Sequence, residues 1–225
     1  MKIKIMNTNQ LLVRKIVSFL LSGFPVLMLL ALGMHFRSFQ SFFNFQWIYP
    51  DYDAGGLFDI LVSGKGHGFI MTHFLVFLCV MLFLLVLIVL GRILYKEKPL
   101  LAFAGSAVGF IGCICLAGVL ATWLSFSGIA TVNAQYYAGA RAGFIELVKV
   151  KGLLHFFRTG SYLTFIGMIM LASGLALSKQ FKWLPMLCMI IGALLFILFM
   201  DMDNWMFIGT LLLFAGLIPV SKQLQ

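Results

Sequence analysis

The run from His67 to Tyr95, HGFIMTHFLVFLCVMLFLLVLIVLGRILY, carries no charge between His73 and Arg92. About 20 apolar residues in a helix cross the ~30 Å hydrocarbon core of a bilayer. This run is longer, so it spans with tilt or emerges by a turn. It also has a polarity: histidines at its first end, then Arg92, Lys96 and Lys98 at its last. The remaining residues repeat that pattern. The chain has 225 residues, 62% hydrophobic and 10% charged, where a soluble domain carries roughly 25% charged residues. A water-soluble core of this size is excluded, and a polytopic membrane protein is expected.

The net charge of +9 does not point to nucleic acid. The 16 Lys and Arg residues flank apolar runs along the whole chain and form no basic stripe. Six spans are expected, at about 16–36, 67–94, 100–126, 161–177, 183–200 and 205–220, in a single integral membrane domain. The fold class is therefore all-α, a polytopic transmembrane bundle of six helices. A signal peptide is the other reading of the first run, but that run exceeds the usual 7–15-residue apolar core. Pro25 lies inside it and is expected to kink it.

Two longer mixed segments, 37–66 and 127–158, separate the spans. Trp47, Tyr49 and Tyr52 suit a membrane interface, and both segments are expected to hold amphipathic interfacial helices on the outer side. With the N-terminus inside, ten Lys and Arg residues fall on the inner face and six on the outer. The positive-inside rule then places both termini in the cytoplasm.

All four histidines, His35, His67, His73 and His155, fall on the outer side with the acids Asp51, Asp53, Asp59, Glu146, Asp201 and Asp203. The two outer segments also resemble each other. Gly56 to Phe69 reads GLFDILVSGKGHGF and Gly143 to Phe157 reads GFIELVKVKGLLHFF. Each has Gly, an acid three residues on, Lys-Gly, and a His at the next span. An internal parallel repeat would set Asp59 and His67 against Glu146 and His155; a shared need for interfacial helices is the alternative.

Imidazole is the commonest metal ligand, so these histidines are the candidate metal or haem ligands. His67 and His73 lie about 9 Å apart along a helix and about 120° around it, so one ion would draw on several helices. Paired acids such as Asp51 with Asp53 suit Mg²⁺ or Ca²⁺ but equally suit polar turns. Arg141 and Arg158 are candidates for a lipid phosphate. Gly105 and Gly109, four apart, allow close helix approach. The cysteines Cys79, Cys113, Cys115 and Cys188 sit in apolar runs and read as small buried hydrophobes. The sequence carries no nucleophile elbow, P-loop or dinucleotide fingerprint. No span places an acid or base at mid-depth, which argues against an ion-coupled transporter.

The stretch LLHFFRTGSYLTFIGMIMLASGLAL (Leu153 to Leu177), followed by a basic turn and a fifth span, resembles in layout six-span bacterial membrane protein families catalogued as domains of unknown function. That resemblance implies a six-helix bundle in the bacterial inner (plasma) membrane and transfers no functional residues. The expected role is a non-catalytic accessory or lipid-binding membrane protein needing no cofactor. Membrane lipid, another membrane protein or a second copy would be its partners. A metal- or haem-dependent membrane enzyme using the outer histidines and acids is the alternative, and a small transporter the second alternative.

Overall fold

A computed structural model describes residues 8–36, 42–43, 45, 54–62, 66–125, 133–149, 153–179, 181–200 and 202–223. Eight α-helices are described: α1 (Thr8–Gly33), α2 (Ala54–Ile60), α3 (Gly66–Leu94), α4 (Pro99–Ser125), α5 (Tyr137–Lys149), α6 (Leu153–Leu177), α7 (Trp183–Leu198) and α8 (Asp203–Gln223). The described residues contain no strand. That is the outcome a bilayer imposes on apolar chains, because every backbone N–H and C=O must be satisfied within its own helix.

Five helices are long and apolar enough to cross a membrane: Leu11–Gly33, Gly68–Leu94, Pro99–Ser125, Leu154–Leu177 and Asp203–Gln223. The helix expected as the fifth of six spans, α7, has 16 residues and rises about 24 Å. It is shorter than the other five. Helix α6 begins at Leu153 rather than near Ser161. The polar residues that shortened the apolar count, His155 and Arg158, are exposed on its first turns without interrupting it. Pro99 opens α4, where its missing N–H costs nothing. Helix α1 runs through Pro25.

The six long helices close a ring in the order α1, α3, α4, α6, α7, α8 and back to α1, and α3 also touches α6. Alternating direction puts the starts of α1, α4 and α7 and the ends of α3, α6 and α8 at one end. That basic end carries Arg14, Lys15, Arg92, Lys96, Lys98, Lys179, Lys182 and Lys222. The opposite end carries α2 and α5. Four buried phenylalanines cross the bundle. Phe24 stacks on Phe83 (4.7 Å), Phe83 meets Phe165 (6.0 Å), and Phe165 stacks on Phe196 (4.5 Å). The interior between α1, α3, α6 and α7 is therefore filled.

Glycines set the closest helix approaches. A Cβ on Gly112 would lie 1.9 Å from the Thr164 backbone nitrogen, and one on Gly167 would lie 2.5 Å from Gly109 backbone. Gly105 and Gly109 are both buried in this α4–α6 seam, Gly105 against Leu171 and Met170. A second seam joins α7 to α8, where a Cβ on Gly192 would meet the Gly209 carbonyl oxygen at 2.6 Å. Such small residues let backbones touch where lipid supplies no hydrophobic drive between helices.

Candidate functional site

The end opposite the basic residues is capped by α2 packed on α5. Phe58 is fully buried there with Ala54, Leu61 and Phe144, and Phe69 and Trp123 from the ends of α3 and α4 pack beneath. The Phe58 ring meets Tyr137 at 5.3 Å and Phe144 at 5.7 Å. These contacts fix which side of each short helix turns inward. They leave Asp59, next to Phe58, at the rim.

Asp59 accepts from both polar residues on one face of α5. The Tyr137 hydroxyl donates at 2.5 Å, Arg141 Nε at 3.0 Å, and Arg141 Nη2 at 3.4 Å to the second oxygen. Tyr137 and Arg141 are four apart, hence neighbours on a helix. Gly55 makes this geometry available, since a Cβ there would sit 2.3 Å from Arg141 Nη2. The guanidinium thus lies across a gap in the α2 surface. Arg141 (38% exposed) and Asp59 (46%) remain in contact with solvent, so the pair orients the helices more than it stabilises them. The hydrogen bonds from Arg141 and then Tyr137 hold the Asp59 carboxyl below its ordinary 3.8. The same bond to Asp59 holds the Tyr137 phenol above its ordinary 10.0.

Beneath the cap, His73 and His35 meet edge to face with ring centroids 5.4 Å apart. His73 also overlies Phe69 at 3.9 Å and approaches Trp123 at 6.4 Å. Its Nδ1 is 2.8 Å from the Phe69 carbonyl. A carbonyl only accepts, so Nδ1 carries a proton, and in the neutral ring Nε2 keeps its lone pair. His35 Nδ1 is buried and has no hydrogen-bond partner among the described residues.

The other candidate residues do not join this pair. Glu146, His155 and Arg158 are exposed, and the Arg158 carbonyl accepts from Ser161 at 2.6 Å. Asp203 opens α8, where a carboxylate complements the helix dipole. Asp51, Asp53, Asp201 and the His67 side chain lie outside the described residues. Asp59 bonds Arg141 and Tyr137 rather than the Glu146 and His155 that the repeat would set against it. Arg141, a candidate for a lipid phosphate, donates to Asp59. Among the described residues, no three His, Cys, Asp or Glu side chains come together around a common ion position.

Sequence reasoning missed the Asp59–Tyr137–Arg141 triad, the His35–His73 contact and the α7–α8 glycine seam. Gly55, one turn before Asp59, was a usable signal for the first. The second joins residues from the end of α1 and the start of α3, and no spacing announces it. Comparison of the chain with protein-family models, curated proteins and solved structures gave no match.

Proposed function

We propose that this chain is a non-catalytic integral membrane protein, lipid-binding or accessory to another membrane protein. In this reading α7 is a sixth, shorter span, the basic end is cytoplasmic, and the α2–α5 cap is an outer contact surface lying at the membrane interface. The observation that carries it is the pairing at the cap end. Asp59, Tyr137 and Arg141 satisfy one another, and Glu146 and His155 face outward, so no acid–base or nucleophilic set converges among the described residues. The filled interior between Phe24, Phe83, Phe165 and Phe196 argues against the transporter reading.

The His35–His73 contact favours one second reading, a metal- or haem-dependent protein. A ligating histidine typically donates its other ring N–H to a carbonyl, as His73 does to Phe69. Metal analysis and a visible spectrum of protein purified gently in detergent separate the two. The proposal predicts no stoichiometric metal, no Soret band and co-purified lipid. A stoichiometric metal or haem that disappears in His35→Ala or His73→Ala would overturn it.

A further inference from the structure

A groove runs down the outside of the bundle between α1 and α8. Its upper part, about 630 Å³, is apolar and lined by Gly23, Val26, Leu30, Phe214 and Ile218. A second hollow of about 400 Å³, lined by α1 alone, shares Phe19 and Ser22 with it and reaches Arg14 and Lys15. Lys222 borders the upper part on the α8 side. The stretch from Gly23 to Leu30 is thus apolar, and the serines and the three cations gather toward the basic end of the bundle.

Three features describe an occupant. From Phe19 to Leu30 the groove rises about 16 Å, close to half the ~30 Å hydrocarbon core, which is the depth of one leaflet. Its floor is open because Gly23 has no side chain, and a Cβ there would meet only Phe19, at 3.8 Å. The cationic mouth lacks a counter-charge, since Arg14, Lys15 and Lys222 make no ion pair with an acid among the described residues. Between them Ser18 and Ser221 are bonded to each other at 2.7 Å, with Ser221 also donating to the Ser18 carbonyl at 3.0 Å. That contact holds the two cationic helix ends in register.

We propose that the α1–α8 groove binds one anionic glycerophospholipid, an acyl chain lying over Gly23 and the headgroup phosphate held by Arg14, Lys15 and Lys222. Basic pockets between helix ends are a recognised way to hold anionic headgroups. A second copy of the chain fits less well. A two-fold contact through this groove would bring like-charged mouths together or leave them unmatched. The proposal rests on the lipid-binding reading above and gives it a site and a lipid class.

Native mass spectrometry of the purified full chain tests it, with phosphatidylglycerol and phosphatidylcholine of identical acyl chains offered separately. The expected result is one retained phosphatidylglycerol, with phosphatidylcholine held at least about tenfold more weakly. Each cation neutralised should weaken phosphatidylglycerol about fivefold, so Arg14→Gln/Lys15→Gln/Lys222→Gln loses on the order of a hundredfold. Gly23→Phe should weaken both lipids by obstructing the groove. If the triple variant does not fold, Lys222→Gln alone, at an exposed position in the last turn of α8, carries the charge test. Equal retention of the two lipids, or retention unchanged in the charge variants, overturns the site. So does a dimer that excludes lipid from the groove. A cofactor in the purified protein would overturn the non-catalytic reading and leave the ratio between the lipids as predicted.

Discussion

Gly112→Ala should lower the unfolding midpoint of the detergent-solubilised protein by roughly 10 °C, from a loss of about 3 kcal/mol at the upper end of overpacking costs. The added methyl would lie 1.9 Å from the Thr164 backbone nitrogen and 2.5 Å from the Leu163 carbonyl carbon. Neither neighbour is the far end of a flexible side chain, so relief requires α4 and α6 to move apart. This is the most extensive helix contact in the bundle, and separating it also strains the Gly105 and Gly109 contacts. Gly139→Ala is the matched control. It lies on α5 with nothing within 4 Å of its Cβ position and should be neutral or gain up to about 1 kcal/mol from helix propensity. Thermal unfolding followed by circular dichroism reads both. A Gly112→Ala midpoint equal to that of Gly139→Ala would mean the helices are not in backbone contact.

Phe58→Ala should release the cap while leaving the bundle intact. Phe58 is fully buried, and removing a buried phenylalanine ring costs about 3–5 kcal/mol. The cap cluster is small and separate from the main core, so its loss falls locally. Hydrogen exchange should rise across 54–60 and 137–149 and stay unchanged in α4 and α6. Charge acts on the same contact with a known sign. Asp59 has a depressed pKa, so its contribution to docking is full above its ordinary 3.8 and is lost as pH falls below it. Tyr137 has a raised pKa, so its contribution is full below 10.0 and is lost as pH rises through the higher folded value. Because the pair is half exposed, the cap should dock across the neutral range and loosen only slightly at both extremes, and Asp59→Asn should remove the acid limb. Exchange that rises equally in the bundle would show that cap and bundle unfold as one unit.

Much of the bundle was legible because a bilayer leaves few options. Uncharged runs longer than about 20 residues must be helices across it, and α3, α4 and α8 begin and end within a few residues of the expected spans. The start of α6 was misplaced because composition treats His155 and Arg158 as the end of an apolar run, whereas an exposed polar side chain does not stop a helix. The site was less legible. The sequence groups acids and histidines in its two mixed segments and at the span ends beside them. Which of them meet depends on the faces that Phe58 and Phe144 bury, and these turn Asp59 toward Tyr137 and Arg141. The α4–α6 seam shows in part as Gly105 and Gly109, but its tightest point, Gly112 against Thr164, needs the partner helix to be known.

Side-specific labelling of single cysteines, in a background lacking Cys79, Cys113, Cys115 and Cys188, decides whether the six long helices cross the membrane with the basic end inside. Lys98→Cys, Gly139→Cys, Lys179→Cys and Asp203→Cys would be exposed in intact cells to a membrane-impermeant maleimide. Labelling is expected at 139 and 203 from outside, and at 98 and 179 only after permeabilisation. Positions 179 and 203 labelled from the same side would contradict it, because α7 would then not cross the membrane. Labelling of 98 from outside would reverse the bundle and place the cationic groove in the other leaflet.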